Sequence, residues 1–333
     1  EGRSILKNIN YGENKMAKII GKPLKNIPWQ NKPEGTDAPV WRYNENPIIE
    51  RDALPKANSI FNSAVVPYLN GFAGIFRVDL TTREQKLVTG FSDDGIHWEL
   101  NNNYIFNGYD PRLCCMDGVY YLSWVKSLDW PLGTVIGIAR TKDFKTFEEL
   151  DEATLPVSRN GVLFPRKING MYMLLSRPCD KGHTPYGDIF LSQSPDLAFW
   201  GKHHHVMSPY YAWESTKIGA GPTPIETDEG WLCFYHGVTT SCNGLTYSMG
   251  AAITDLNEPW RVLHRANCYL LNPRTLYECV GDVPNVVFPC SALTDPETGR
   301  IAIYYGGADT VVALAFCEVN EVIDYIKKND IYK

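Results

Sequence analysis

The sequence has few of the features that mark membrane or nucleic-acid-binding proteins. Its apolar runs are only as long as a β-strand, far short of the ~20 residues that a membrane-spanning helix needs. Its formal net charge of −6 argues against nucleic acid as a partner, because proteins that bind the phosphate backbone present a basic face. No low-complexity tract or long linker divides the 333 residues. We therefore expect one main domain with terminal arms, no membrane attachment and no nucleic-acid partner.

The nine cysteines also lack the spacing of a zinc site or a disulfide framework. Their number is odd, they form no Cys-x-x-Cys pattern, and Cys114 and Cys115 are adjacent. The run His203–His205 does not suggest a metal site, because adjacent residues of a strand point to opposite faces. The first 30 residues contain no apolar core of signal-peptide length. The sequence thus predicts reduced thiols, a cytoplasmic location and no bound metal.

What the sequence does contain is one pattern that occurs five times. Each copy has a short extended segment, a turn that ends in Gly, and a strand of bulky residues that ends on a polar group. The copies recur every ~50–70 residues, near the repeat length of propeller blades. Their turn glycines are Gly71, Gly118, Gly170, Gly230 and Gly299. Four copies are followed by Ser or Thr, an Asp and an aromatic residue, which is typical of capped turns, so we assign these aspartates to structure.

The fivefold pattern predicts an all-β fold, a five-bladed β-propeller over residues 48–318. Two hairpins make one four-stranded blade, and a ring of blades leaves only short, protected sheet edges. A two-sheet sandwich is the alternative, but its strands would not repeat in five matched copies.

Both ends of the chain differ from the repeats. Residues 1–47 are basic and contain prolines, so we predict an N-terminal arm, in which residues 1–15 are interpreted as a leader before Met16. Near the other end, apolar residues follow the spacing of an amphipathic helix, which predicts a short C-terminal helix over 319–333. These apolar residues are Val319, Val322, Ile323 and Ile326.

The innermost strands of a propeller line its axis, so polar residues at the ends of those strands would converge on one pocket. Asp110 opens the second hairpin, and Pro111 after it favours an extended backbone at Asp110. A carboxyl group at the floor of such a pocket is placed to act as a general acid. The alternative is an aspartate that only caps a turn before proline. Asp309 has a similar ambiguity, because it could accept two sugar hydroxyls or cap its Gly-rich turn.

Basic residues stand at matching places in the other repeats. One such residue is usually a surface charge whose stem packs on apolar groups. Several in one pocket would repel one another unless an anion neutralised them. Because Arg binds phosphate in bidentate fashion and Lys supplies a point charge, a phosphate or carboxylate ligand is the economical explanation. The residues are Arg159, Arg177, Lys217 and His236.

Several segments of the chain resemble glycoside hydrolase family 130, the β-mannoside phosphorylases. The resemblance runs from about residue 27 to the C-terminus, and several of its motifs are long. It implies a five-bladed propeller, in agreement with the repeat count. The segments that carry it are 58–65, 108–112, 159–167, 216–222, 235–238, 281–285 and 305–310.

The resemblance also implies roles for individual residues. Asp110 would be the sole catalytic acid. Inorganic phosphate would be a co-substrate, with no cofactor, and would be held by Arg159, Arg177, Lys217 and His236. The residues implied to contact the sugars are Asn62, Ser63, Arg77, Tyr109 and Asp309.

The implied reaction is the inverting phosphorolysis of β-1,4-linked mannosides, either mannosyl-N-acetylglucosamine or short mannooligosaccharides. Phosphate would attack the anomeric carbon from the face opposite the leaving group, giving α-D-mannose 1-phosphate and the released acceptor sugar. The proton of Asp110 would reach the glycosidic oxygen through the 3-hydroxyl of mannose. The family's mannosidase branch lacks the basic residues that this chain has. The resemblance makes a homo-oligomer plausible.

Two alternatives remain open at the level of sequence. An inverting β-mannosidase would need a second carboxylate to activate water, with Asp309 or Asp282 as candidates. A non-catalytic, sugar-binding propeller would bind mannosides without turning them over.

Overall fold

The structure is a computed structural model that describes residues 16–128, 133–179 and 187–330. The described part of the chain contains 21 strands in five antiparallel sheets and two α-helices. The five sheets are the five predicted blades, so the all-β, five-bladed prediction is confirmed.

The first three blades follow one another along the chain, each with its innermost strand first. Blade one is β2 (Ala57–Tyr68), β3 (Gly71–Leu80), β4 (Gln85–Ser92) and β5 (Glu99–Asn107). Blade two is β6 (Tyr109–Met116), β7 (Val119–Ser127), β8 (Thr134–Thr141) and β9 (Glu148–Glu149). Blade three is β10 (Ser158–Leu163), β11 (Tyr172–Pro178), β12 (Ile189–Ser194) and β13 (Gly201–Met207).

The last two blades depart slightly from this plan. In blade four the inner strand is split, and the blade comprises β14 (Lys217–Ala220), β15 (Ile225–Thr227), β16 (Gly230–Ser241), β17 (Gly244–Thr254) and β18 (Val262–Arg265). Blade five comprises β19 (Val287–Asp295), β20 (Arg300–Gly307), β21 (Val311–Glu318) and β1 (Val40–Arg42).

Blade five therefore takes its outer strand from the N-terminal part of the chain. β1 pairs antiparallel with β21, so strands from both ends of the chain close the ring. The predicted boundary of the propeller at residue 48 is too late, because residues 40–42 of the arm over 1–47 belong to a blade. A three-residue strand forms no hairpin of its own and leaves no repeat in the sequence. The predicted leader over residues 1–15 lies outside the described residues.

The C-terminal helix α2 covers Val319–Lys328 and begins directly after β21. Its four predicted apolar residues are buried and join the core between blades four and five. The helix ends before the predicted limit at residue 333, and residues 331–333 lie outside the described part. A second, four-residue helix α1 (Leu276–Cys279) has no counterpart in the sequence prediction. None of the helices described is long and apolar enough to cross a membrane.

The hydrophobic core is divided into layers that lie between neighbouring blades. Each of the five largest clusters of buried residues combines side chains from two adjacent sheets. Trp98, the aromatic residue that follows the turn of blade one, packs on Phe76 and on Tyr304 of blade five, with ring centroids 5.0 and 6.3 Å apart. Sheet packing of this kind gives a rigid ring, on which an axial site can be held in fixed geometry.

The turn aspartates have the structural role that the sequence predicted. In each of four blades, the Asp Oδ1 accepts hydrogen bonds from the backbone N–H groups two and three residues ahead, at 2.8–3.0 Å. The aspartates are Asp94, Asp143, Asp196 and Asp255. Their side chains replace backbone partners in the turn, so these carboxylates are used in building the ring.

Candidate active site

The inner strands of blades one, two and three share a local distortion near their beginnings. Asn62, Asp110 and Asn160 have left-handed φ values of 48°, 51° and 54°, and the pairing register shifts at each of them. A bulge turns a side chain out of the regular alternation, and Asn and Asp tolerate the left-handed conformation better than most residues. Three blades thus use the same device to aim a polar side chain. At Asp110 the left-handed φ overturns the extended backbone expected before Pro111.

Asp110 is held by two donors from blade one. Its Oδ1 accepts from Asn62 Nδ2 at 2.7 Å and from Arg77 Nη1 at 3.0 Å. In the described chain, no hydrogen bond reaches the other carboxylate oxygen, Oδ2. One oxygen is therefore fixed by the protein, and the other is available to a ligand.

Arg77 is itself fixed on three sides. Its Nε and Nη2 donate to the two oxygens of Asp79 at 2.7 and 2.9 Å, a bidentate pair. Its guanidinium lies 4.2 Å from the ring centre of Phe61 and 5.0 Å from that of Tyr109. Although burial opposes the charge, the carboxylates of Asp110 and Asp79 raise the pKa of Arg77 above its ordinary value. We call Asn62, Arg77, Asp79, Tyr109, Asp110 and Asp309 the acid group.

Asp309 completes the acid group from blade five. Burial raises the pKa of Asp309 to about 7, against the effect of Arg77 and with the help of Asp110 and Asp79. The approach between the blades is close, because a Cβ on Gly306 would lie 2.1 Å from Asn62 Oδ1. Ser63, the other predicted sugar contact, is fully buried next to Asn62, and its Oγ bonds to none of the described groups.

The four predicted basic residues come together on blades three and four, and we call them the cation group. Arg159 lies opposite Arg177 in the pairing of β10 and β11, and Arg177 Nη1 is 3.1 Å from His236 Nε2. Arg177 and His236 are buried, whereas Arg159 and Lys217 are half-buried. Arg159 lies in β10 (Ser158–Leu163), the inner strand of blade three.

Burial and repulsion between neighbouring cations shift the pKa values of Lys217 and His236. Burial lowers the pKa of Lys217 to about 8, and the charges of Arg177 and Arg159 add to this effect. The pKa of His236 falls well below its ordinary value because of burial, with Arg177 the next largest cause. The imidazole is therefore neutral near pH 7, and its Nε2 can accept a hydrogen bond from Arg177.

The cation group also has polar atoms without partners. Within the described ranges, no carboxylate forms an ion pair with Arg159, Arg177 or Lys217. Buried polar atoms are normally satisfied, and a buried charge is costly unless it is neutralised. A tetrahedral anion with several acceptor oxygens would neutralise the charges and accept from the donors that lack a partner. In this region the buried atoms without a partner among the described residues are the donors Arg159 Nε, Arg177 Nε and His236 Nδ1 and the acceptor Asn160 Oδ1.

Gly219 makes room for the centre of the cation group. A Cβ at this position would lie 2.5 Å from His236 Cε1 and 2.7 Å from Asn160 Oδ1. Only a glycine allows these two side chains to approach the backbone of β14 together.

The acid and cation groups are close enough for their charges to interact. The charge of Asp110 acts on Arg177, and those of Arg159 and Asp110 both act on the phenol of Tyr109.

Asp282, a candidate base at the level of sequence, is occupied by four donors. It accepts from Ser59 at 3.1 Å, from Arg51 at 3.2 Å and from Arg83 at 3.4 Å, and from Asn58.

Besides Asp79 of the acid group, the structure adds two residues that the sequence analysis did not select. Asn160 is brought into the cation group by its bulge, for which the Asn-Gly pair next to Arg159 was an available signal. Tyr247 lies in β17 with its ring centre 5.5 Å from Lys217 Nζ and 6.0 Å from the ring centre of His236. Burial raises the pKa of Tyr247 to about 12, so it remains a neutral donor. Its position in the middle of a strand gave no signal in the sequence.

Known sequences similar to this chain are phosphorylases that act on mannosides. A sequence model of the beta-1,4-mannooligosaccharide phosphorylase family matches residues 22–328. The chain is 56% identical over 329 residues to the beta-1,4-mannooligosaccharide phosphorylase of Ruminococcus albus, covering 93% of this chain and 98% of that protein. It is 30% identical over 321 residues to the 4-O-beta-D-mannosyl-D-glucose phosphorylase of Bacteroides fragilis, covering 86% and 80% of the two chains.

Solved structures give the same grouping. The beta-1,2-mannobiose phosphorylase of Listeria innocua, in complex with beta-1,2-mannobiose, matches with a TM-score of 0.77 at 27% identity, covering 87% of this chain and 99% of that one. A thermostable family-43 glycoside hydrolase shares the fold alone, with a TM-score of 0.57 at 13% identity and coverages of 78% and 88%. The chain belongs to glycoside hydrolase family 130, the β-mannoside phosphorylases that its motifs resemble.

Proposed function

We propose that this protein catalyses the inverting phosphorolysis of β-1,4-linked mannosides by inorganic phosphate. The products are α-D-mannose 1-phosphate and the released acceptor sugar. The observation that carries the proposal is the cation group. Three basic side chains and a neutral His236 lie together, several of their buried donors have no partner, and none of the three cations pairs with a carboxylate in the described structure. Short mannooligosaccharides are the substrates we favour, since the 56% identical relative is named for them. Mannosyl-N-acetylglucosamine is the second choice.

In the proposed mechanism the cation group binds phosphate and holds one of its oxygens against the anomeric carbon. A new C–O bond forms on the α face while the bond to the acceptor oxygen breaks. Asp110 supplies the proton that the departing oxygen needs, through its free Oδ2 and the 3-hydroxyl of mannose. Phosphate is the nucleophile, so the reaction needs one acid and no base that activates water.

The acid group is proposed to bind the mannosyl unit. Asn62 and Arg77 hold Asp110 in place and present further donors, Ser63 lies beside them, and Tyr109 offers a ring face to the sugar. Asp309, with its pKa raised to about 7 by burial, is proposed to accept from sugar hydroxyls. No cofactor or metal takes part in the scheme. We further propose a cytoplasmic homo-oligomer.

The charge arrangement favours phosphorolysis over hydrolysis. An inverting hydrolase needs a carboxylate that activates water across the sugar from the acid. Asp282 is occupied by four donors, and Asp309 belongs to the same group as Asp110. The neighbouring group on blades three and four holds cations instead.

The proposal is tested by incubating β-1,4-mannobiose, longer β-1,4-mannooligosaccharides and mannosyl-N-acetylglucosamine with and without inorganic phosphate. Separation of the products by chromatography should show mannose 1-phosphate only when phosphate is present. Release of free mannose at the same rate without phosphate would establish a hydrolase instead. Binding of the sugars without any turnover would favour the non-catalytic alternative.

A further inference from the structure

Arg112, two residues after Asp110, is one of the most deeply buried charged residues of the protein. Arg112 lies in β6, and the residue is 1% exposed. Its guanidinium donates to three backbone carbonyls, Pro111 O at 2.9 Å, Gly221 O at 2.7 Å and Pro289 O at 3.4 Å. These carbonyls belong to the inner segments of blades two, four and five. One side chain therefore connects three blades across the axis.

Like Arg177, Arg112 lacks the carboxylate partner that the buried arginines Arg77 and Arg265 have. Arg77 donates to Asp79 at 2.7 Å, and Arg265 donates to Glu214 at 2.5 Å. Arg112 has only neutral partners, and no carboxylate of the described ranges forms an ion pair with it. Since an uncompensated buried charge is strongly unfavourable, its retention in a packed interior calls for an anion nearby.

Arg112 lies close to His236 of the cation group. The ring of Phe288 lies between the two, with its centre 5.4 Å from the Arg112 guanidinium carbon and 4.4 Å from the ring centre of His236. The charge of Arg112 is one of those that lower the pKa of His236, after burial and Arg177. Gly221, which accepts from Arg112 Nε, follows directly on the strand that begins at Lys217.

We propose that Arg112 is a positioning residue of the phosphate subsite. It braces blades two, four and five across the axis, and it places a positive charge behind the bound anion. Through Pro111 it holds the segment that carries Asp110, and through Gly221 and the Phe288 ring it supports Lys217 and His236. This inference rests on the proposed function, because it assumes that the anion is phosphate.

Two substitutions separate the charge of Arg112 from its role in packing. Arg112→Lys keeps a positive charge and donors, whereas Arg112→Gln keeps donors without a charge. A unit charge behind the anion changes binding by about tenfold or more at the dielectric typical of protein sites. We expect Arg112→Gln to raise KM for phosphate about tenfold or more, and Arg112→Lys to stay within about threefold of the wild type. KM for β-1,4-mannobiose should change little in either variant.

The matched control is Arg42→Gln. Arg42 pairs with Glu278 at 2.7 Å, away from the cation group, so this variant should lower Tm without changing KM for phosphate. A purely structural role for Arg112 predicts the same result for both of its variants, and that result would overturn the inference. Should Arg112→Gln fail to fold, Arg112→Lys decides, since a tenfold rise in its KM for phosphate at an unchanged Tm would contradict a role for the charge.

The proposed function is tested separately in the same experiment. If the wild-type protein shows no phosphate-dependent turnover, the proposed function fails, and the inference is then judged on binding alone. In that case the rise of Tm with added phosphate is compared between the wild type and the two variants. A phosphate-induced rise of Tm that is smaller in Arg112→Gln but unchanged in Arg112→Lys supports the inference. Equal rises of Tm in the wild type and both variants refute it.

Discussion

The acid group, on blades one, two and five, and the cation group, on blades three and four, differ in how their charges are balanced. In the acid group the buried Arg77 is paired with Asp79 and Asp110, at 2.7 and 3.0 Å. In the cation group, Arg177 is equally buried, but its described partners are a neutral imidazole and the carbonyl of Ile218. The buried arginine of the acid group thus has carboxylate partners within the protein, whereas that of the cation group would gain a counterion only when an anion binds.

The largest expected effect comes from removing the acid. Asp110→Asn keeps the size of the side chain and can still accept from Asn62 and Arg77, but it has no carboxyl proton to donate. We expect the rate of phosphorolysis to fall by about 10³-fold or more, at the upper part of the range for general acids. Steady-state assays of mannose 1-phosphate formation check this. A fall of less than about tenfold would remove Asp110 from the acid role.

A matched pair of arginine variants tests the difference in charge balance. Arg77→Met leaves Asp79 and Asp110 without their buried partner, and breaking such a pair costs about 3–5 kcal/mol of stability. Arg177→Met instead removes a cation that repels its neighbours, so the free energy of unfolding without phosphate should be unchanged or higher. Urea unfolding of both variants in phosphate-free buffer measures this. Equal destabilisation by the two substitutions would contradict the comparison.

The pH dependence of phosphate use sharpens the description of the cation group. Burial and neighbouring cations lower the pKa of Lys217 to about 8, so its ammonium loses the proton and the charge as the pH rises through that value. The kcat/KM for phosphate, which reports the free enzyme, should therefore decline above pH ~8. Lys217→Arg should move this decline to higher pH, because arginine keeps its charge. If kcat/KM declines at the same pH in Lys217→Arg as in the wild type, a group other than Lys217 causes the decline.

The smallest expected effect concerns residues that build the ring. Asp143 Oδ1 accepts from the backbone N–H groups of Lys145 and Thr146 at 2.9 and 2.8 Å, on the outside of blade two. Asp143→Ala should lower the free energy of unfolding by about 1–2 kcal/mol through the loss of this turn cap. Both KM values and kcat should stay within error of the wild type. A marked loss of activity at full stability would show that the turn has a role in the site.

Much of this arrangement could be predicted from the sequence, because hairpins and turns are local. The fivefold pattern predicted the blades, and the polar ends of its strands indicated Asp110, Asp309 and the cation group. The family resemblance supplied the sugar contacts Asn62, Ser63, Arg77 and Tyr109. The sequence analysis did not predict that β1 closes the ring, since a three-residue strand is too short to show a repeating pattern. Arg112 and Tyr247 were missed for a different reason. Both lie within strands, and only the closing of the ring brings blades two, four and five to the same point on the axis.

The most direct test of the account is calorimetric titration of inorganic phosphate into Asp110→Asn and Arg177→Met, each in the presence of β-1,4-mannobiose. Neither reactant should be consumed by the acid variant, so a ternary complex can be measured at equilibrium. The account predicts that Asp110→Asn binds phosphate and that Arg177→Met binds it at least about 100-fold more weakly, since it lacks a buried, charge-assisted donor. Tight phosphate binding by Arg177→Met would contradict the claim that the cation group is the phosphate site.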